Sequence, residues 1–214
     1  MRCLVTTGNV YGYGAVDGPM TEDLPLRPNT DKGKVRVRIW NDALAAHRVG
    51  RIRTAEVRGS DYLGAGAVTP MTLLVLPKVL AGKRASAPAD LDAPHSWTYT
   101  GDVARTPLAV AADTGSWGRA WHVPTGPPKS FREVVTRATE LAGVPAPRLS
   151  AMPHPVLWLG GLFNPMARAV RETQYQFRKP FVLDSTAATE AFGIRPAPLD
   201  DALRETTAHL RSQR

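Results

Sequence analysis

The residues of this 214-residue chain whose types and spacing could do chemistry gather in its first third. Thr6-Thr7-Gly8-Asn9-Val10-Tyr11-Gly12 closes a short apolar run, and Thr21-Glu22-Asp23-Leu24-Pro25 and Pro28 follow. Thr30 and Lys34 stand at the opening of a helical pattern, and Val57-Arg58-Gly59-Ser60-Asp61-Tyr62-Leu63-Gly64 ends a second extended run. A phenol can pass a proton to a substrate, whereas the alkanol hydroxyl of threonine does not ionise near neutral pH. Tyr11 and Tyr13 stand in the loop after the first run, where Tyr11 reads as a packed loop aromatic. Other chemistries are excluded by pattern. There is no phosphate-binding Walker loop, no His-Glu-x-x-His and no Gly-x-Ser-x-Gly. Gly12-Tyr13-Gly14 approaches the dinucleotide fingerprint, but the third glycine, Gly18, comes one position too late. The segment reads as a loop. The five histidines, His47, His95, His122, His154 and His209, stand singly. Each reads as a packed or surface histidine, and no metal site is expected. The lone Cys3 cannot form an internal disulfide.

These residues must be positioned by regular elements. Arg2 to Thr7 reads as a buried strand ending at Gly8, followed by a Gly/Pro-rich loop to Asn29. Val35, Ile39, Ala43 and Ala46 repeat at helical spacing, predicting a helix over about 34–47 with Gly50 past its end. Arg51 to Arg58 alternates as a strand. Strand, loop, helix and strand in this order form the crossover unit of a parallel sheet. Further on, Met71 to Leu80 reads as a short buried helix and Ser96 to Thr100 as extended. Asp102 reads as the N-cap of a helix over 103–112, and Ala120 to Pro124 as a strand. Ser130-Phe-Arg-Glu133 is a capping box for a helix reaching Ala142, with Gly143 as its stop. Phe181 to Leu183 reads as a strand and Asp184 as the cap of a helix over 185–192 that stops at Gly193. Asp200 or Asp201 opens a last helix with Leu203 and Leu210 inward. The expected fold class is α/β, a partial Rossmann-like parallel sheet over 1–68 with a mostly helical lobe over 69–214, of which about 96–112 returns to pack on the sheet.

The motifs, in this order, resemble the extended short-chain dehydrogenase/reductases, the NAD-dependent epimerase/dehydratase family. The resemblance rests on Thr6 to Gly12, Glu22 to Pro25, Lys34 and Arg58 to Gly64. It continues through Tyr99-Thr-Gly-Asp102-Val-Ala-Arg105, Gly118 to Pro124 and Phe192-Gly-Ile-Arg-Pro196, and so covers nearly the whole chain. It implies NAD or NADP as cofactor and a small-molecule substrate, a sugar nucleotide or a related hydroxyl or carbonyl compound. It implies that Thr7 orients the substrate oxygen and that Lys34 lowers the pKa of a tyrosine and holds the nicotinamide ribose. Thr30 stands at the place of that tyrosine, four residues before Lys34, and Tyr11 or Tyr13, close by in sequence, is the phenol that the resemblance leaves to substitute for it. Asp61 replaces the family asparagine and either caps the next turn or touches the cofactor ribose through its backbone. The resemblance further implies that Met1 falls inside a central strand. The glycine-rich, cofactor-binding half is thus expected to be missing, and one edge of the sheet is expected to be exposed and apolar. A non-catalytic binding or regulatory relative of the same fold is the alternative reading.

Composition narrows the partners. Apolar residues make up 43% and charged residues 21% of the chain, a globular balance. No uninterrupted apolar stretch is long enough to span a bilayer, no secretory leader is visible, and a reducing cytoplasm is the expected compartment. No membrane partner is expected, and a homodimer is left open. The net charge is +8, and Arg27 to Arg58 holds nine basic residues against three acids, +6 of that total. Such a field attracts phosphates. With no recognised module and no interleaved aromatics, nucleic acid is not the expected partner.

Overall fold

The computed structural model describes residues 2–213; Met1, expected inside a strand, Arg214 and the side chain of His154 lie outside the described residues. In chain order the elements begin with β1 (Cys3–Asn9), a 3-10 turn (Val10–Tyr13), α1 (Asp31–Arg48), β2 (Arg53–Gly59) and β3 (Asp61–Leu63). A π-helical turn (Met71–Val75) then runs into α2 (Leu76–Val79), followed by β4 (Ala85–Ala87), β5 (Pro94–His95), β6 (Trp97–Tyr99) and α3 (Thr100–Ala112). Next come β7 (Ala120–His122), β8 (Lys129–Ser130), α4 (Phe131–Leu141), β9 (Leu149–Ala151), α5 (His154–Phe163) and α6 (Pro165–Thr173). A second 3-10 turn (Gln174–Phe177), α7 (Thr186–Phe192) and α8 (Leu199–Ser212) complete the chain. The residues divide into two compact units. One comprises the chain up to Ser60, Thr98–Gly126 and Leu183–Ala197, and the other comprises Asp61–Trp97, Pro127–Val182 and the chain from Pro198.

The first unit is α/β, as expected, and is built on a parallel sheet of order β1-β2-β7. Cys3 to Asn9 align with Arg53 to Gly59, and Glu56 to Arg58 align with Ala120 to His122. Aligned residues of parallel strands share a face, and successive residues alternate. Val5, Ala55, Val57, Trp121 and Val123 thus form one apolar face, packed against Val103 and Val110 of α3 and Ala188 and Phe192 of α7. Thr6, Glu56, Arg58 and His122 project to the other face, where Arg58 lies over the ring of Trp40 from α1 at 5.7 Å. β1 borders the sheet with Leu4 exposed, and Val35 and Ile39 of α1 are exposed as well.

The second unit is mostly helical. α4 buries Phe131, Val134, Val135 and Ala138, and α8 buries Ala202 and Leu203, so each turns its apolar stripe inward. The predicted capping box is formed: the Ser130 hydroxyl accepts from the Glu133 amide at 3.2 Å, and the Ser130 amide donates to Glu133 at 2.7 Å. Two-stranded pairs β4-β9 (parallel) and β5-β8 (antiparallel) brace the helices.

Several expected boundaries are corrected. α1 begins at Asp31, not Lys34, because Thr30 caps it. Asp102 is not an N-cap: α3 starts two residues earlier, and the Asp102 carboxylate accepts from Arg105 Nε and from the Ala197 amide, tying α3 to the segment after α7. Phe181 to Leu183 is no strand but two isolated bridges, Phe181 to His95 and Leu183 to Met20. Ser185 rather than Asp184 is the N-cap of α7, although Asp184 accepts from the Thr186 amide at 2.9 Å. Pro198 precedes α8, and both Asp200 and Asp201 fall in its first turn.

Candidate functional site

Ligands of open parallel sheets bind beyond the carboxyl ends of the strands. In the first unit the carboxyl end of β1 turns at once into the 3-10 helix, because the Asn9 side chain accepts from the Tyr11 amide at 3.2 Å. The loop then folds back to α1. Gly14, at φ +74°, lies so close to the carbonyl of Arg27 that any Cβ would collide with it. At Gly33 a Cβ would strike the Tyr11 carbonyl, so the first turn of α1 rests directly on the turn after β1. The glycines of this loop therefore serve close packing. Thr7 is exposed, on the α3 side of the strand with Val5 and Val57. Lys34 is exposed on the first turn of α1 and pairs with Asp31 at 2.9 Å. Thr7 and Lys34 thus lie on segments that meet near the carboxyl end of β1 but on opposite faces of the sheet: Thr7 faces α3, and Lys34 belongs to α1, which covers the Arg58 face. Tyr11 is half-buried between them in sequence. Thr30, at the family tyrosine's place, is 8% exposed, and its hydroxyl accepts from the Gly33 amide at 3.0 Å. That oxygen is committed to the helix cap.

The ends of β2 and β7 are laced by hydroxyls that the sequence reading did not single out. The Ser60 amide donates to Thr98 Oγ1 at 3.0 Å, Thr98 and Thr125 share a hydroxyl contact of 3.0 Å, and the Thr125 amide donates to Ser185 Oγ at 3.0 Å. The Ser60 hydroxyl itself is buried and finds no hydrogen-bond partner among the described residues, and the same holds for Thr6 Oγ1. An unsatisfied buried hydroxyl is costly, and Ser60 at a strand end has the donor and acceptor capacity a ligand oxygen could use.

Beneath this rim lies a buried polar chain. The Asp184 carbonyl can only accept, so the contact of 2.6 Å to His122 Nδ1 fixes the proton on that nitrogen. Nε2 is then an acceptor for the Tyr13 hydroxyl at 2.8 Å, and Arg58 Nη1 donates to the same phenol oxygen at 2.7 Å. Arg58 Nε donates to Glu56 at 2.6 Å, and the Glu22 carboxylate accepts from the His122 amide at 2.9 Å. Burial pushes His122 below the ordinary imidazole value and pushes both Tyr13 and Glu56 up, Arg58 notwithstanding. Tyr13 is 1% exposed, with its hydroxyl held on both sides, so it cannot reach a substrate. Arg58, although part of the basic window, is 4% exposed and paired. The strict alternation of Glu56, Val57 and Arg58 could have revealed a polar inner face; the singly placed His122 gave no signal.

Asp61 belongs to the second unit. Its carboxylate meets His95 Nε2 at 2.9 Å, and the His95 ring stacks on Phe177 at 4.8 Å and Phe181 at 5.4 Å. The side chain is thus spent on an internal contact. Among the described residues no three His, Cys, Asp or Glu side chains gather to hold a metal. For a dinucleotide the fit is partial. Ser60, Thr7 and Lys34 could serve a ribose or an uncharged ring, but the N-terminus of α1 is closed by its Thr30 cap, with the Gly33 and Lys34 amides bonded to Thr30. The residues described therefore do not fit the pyrophosphate.

No protein-family model matches the chain, and no curated protein matches it in sequence. Solved structures do. The UDP-glucuronic acid 4-epimerase of Bacillus cereus in complex with NAD superposes with a TM-score of 0.79 at 14% identity, over 99% of this chain and 62% of that one. The dTDP-glucose 4,6-dehydratase of Streptomyces venezuelae with NAD gives 0.74 at 22% identity, over 99% and 61%. RMD from Pseudomonas aeruginosa complexed with NADPH gives 0.76 at 16% identity, over 98% and 66%. The chain has the fold of these Rossmann-type enzymes and spans less than two thirds of their length.

Proposed function

We propose that this chain is part of an NAD(P)-dependent oxidoreductase of the epimerase/dehydratase type that acts on a sugar nucleotide or a related hydroxyl or carbonyl compound. The observation that supports it is the likeness of almost the entire chain to such enzymes at TM-scores of 0.71 to 0.79, together with hydroxyl and ammonium groups at the carboxyl end of β1. Thr7 orients the substrate oxygen, Lys34 provides the cation, and Tyr11 is the phenol of the site. The Ser60 hydroxyl accepts or donates one hydrogen bond to the bound ring. The cofactor supplies the hydride acceptor when bound; these residues hold and orient the substrate around it. Because the α1 N-terminus is closed, a phosphate-binding segment must be contributed by residues other than these.

A second reading, a non-catalytic relative, is favoured by one observation: the hydroxyl at the tyrosine's place is a helix cap. One experiment separates the two. The part of the S. venezuelae dehydratase without counterpart in this chain is joined to it, and nicotinamide reduction and NAD binding are measured with dTDP-glucose. Saturable turnover lost in Thr7→Val and Lys34→Ala supports the enzyme. NAD binding without turnover supports the relative. A folded chimera that binds no NAD overturns both.

A further inference from the structure

Helix α5 is packed inside out. It contains no Asp, Glu, Lys or Arg, and its narrow side rests on α6, where a Cβ on Gly160 would touch Ala167 at 3.6 Å and one on Gly161 would touch the Arg168 backbone at 3.5 Å. Leu157 joins that buried side at 5% exposed. Its large apolar residues point away: Val156 is 56% exposed, Trp158 47%, Leu159 54%, Leu162 46% and Phe163 89%, with Met166 at 51% beginning α6. At 3.6 residues per turn the five residues of α5 fall within one arc of roughly 160°. A monomer rarely leaves so continuous an apolar stripe in water.

The charges in the same stretch of chain point to what covers it. From Gly143 to Val182 the chain holds Arg148, Arg168, Arg171, Arg178 and Lys179 against the single acid Glu172, a balance of +4. Arg168 and Arg171 donate to the carbonyls of Gly161 and Trp158, which fastens the cationic helix alongside the uncharged one. Each guanidinium has five donors, so both retain N–H groups for an anion. A second copy docked on this face about a two-fold axis would set the same cations opposite one another. An anionic lipid surface meets both properties at once: acyl chains take the stripe and headgroup phosphates take the cations, with tryptophan at the boundary.

We propose that α5 and α6 form a membrane-surface anchor for bilayers rich in anionic lipid. Ten residues of α5 rise about 15 Å, half a bilayer core, and no described helix is long and apolar enough to cross a membrane. The helix therefore lies in the surface rather than spanning it, and the absence of a spanning stretch in the sequence does not bear on this mode of attachment.

The test is co-sedimentation of the full chain with phosphatidylcholine vesicles and with vesicles in which part of that lipid is replaced by phosphatidylglycerol. Binding to the anionic vesicles is expected to exceed that to the neutral ones at least about tenfold, because the basic residues are drawn to the negative surface. Added salt should weaken it. Leu159→Glu with Phe163→Glu should abolish sedimentation and leave the thermal transition unchanged, because both side chains already face water. Arg178→Gln with Lys179→Gln should reduce the preference for anionic lipid and spare the fold. Equal binding to both vesicles, or no binding to either, overturns the proposal. A concentration-dependent dimer abolished by Phe163→Glu, without vesicle binding, assigns the stripe to a second copy instead.

Discussion

The two faces of the β1-β2-β7 sheet are held by different physics. On the α3 side Ala55, Val57, Trp121 and Val123 meet Val110 and Ala188, side chains that need volume and dryness, with one polar demand, the Trp121 indole N–H, which donates to the Ser116 carbonyl at 3.0 Å. On the α1 side buried polar groups are paired one to the next: Glu56 to Arg58, Arg58 to Tyr13, Tyr13 to His122, His122 to the Asp184 carbonyl, while Thr6 Oγ1 finds no partner among the described residues. Burying an Arg and a Glu costs several kcal/mol per ion, which the pair recovers only when the remaining donors and acceptors are also satisfied. The chain of contacts joins the turn after β1, the ends of β2 and β7, and the segment before α7. The apolar face supplies stability without direction, and the polar face fixes where the rim segments sit.

If that contrast holds, removing one member of the polar chain costs more than trimming the apolar face. Arg58→Ala leaves the Glu56 carboxylate buried without its hydrogen-bonded cation, with the field of Arg36 remaining, and should destabilise by about 3–5 kcal/mol in urea unfolding. Arg58→Met combined with Glu56→Leu should restore most of that loss, because no charge remains unpaired. A cost below about 1 kcal/mol for Arg58→Ala would show that water reaches the pair and would dissolve the contrast. On the other face Val57→Ala should cost about 2 kcal/mol, the usual price of a small core cavity, and no partner substitution should rescue it.

The sequence carried the apolar face better than the polar one. Spacing alone revealed β1, α1 and β2 within a few residues, and the capping box at Ser130 was legible because both of its bonds are local. Asp102 misled for the complementary reason: a carboxylate near a helix start resembles a cap, while its actual partner, the Ala197 amide, lies 95 residues away. His122 and Tyr13 are 109 residues apart, and nothing in either neighbourhood announces the other. The return of Leu183–Ala197 to the first unit rests on the same kind of long-range bond, as where the Asp184 amide donates to the Met20 carbonyl at 2.8 Å. The motif order carried the fold and the end of the sheet to examine, but not Ser60, whose interest lies in a missing partner rather than in its type.

A smaller effect probes the polar chain by pH. His122 is held neutral, with its value pushed below 6.5 chiefly by burial and further by Arg58, against the pull of Glu22 and the Asp184 carbonyl. The unfolded chain therefore binds the proton more readily than the folded one. Stability from this group is fully present above about pH 6.5 and is lost as the pH falls below it, by at most about 1.4 kcal/mol per unit. Glu56, pushed above its ordinary value by burial, acts with the opposite sign at lower pH. Denaturation midpoints followed down from pH 7 should decline for the native chain and flatten near pH 6 for His122→Gln. Equal slopes in the two proteins would place the sensitivity outside this chain of contacts.

The smallest expected effects separate structure from chemistry at the opening of α1. Thr30→Ala removes the acceptor for the Gly33 amide and should cost about 1 kcal/mol; Thr30→Ser keeps an oxygen there and should cost only a few tenths. Lys34 is exposed on the first turn of α1. Its ion pair with Asp31 is exposed on both sides, and such pairs contribute less than about 0.5 kcal/mol. Lys34→Ala should therefore leave the unfolding midpoint nearly unchanged while removing turnover in the chimera with the dehydratase segment. A residue that costs nothing to the fold and everything to the reaction is there for the ligand, whereas a midpoint shift as large as that of Thr30→Ala would make Lys34 a structural residue of the helix and leave the proposed site without its cation.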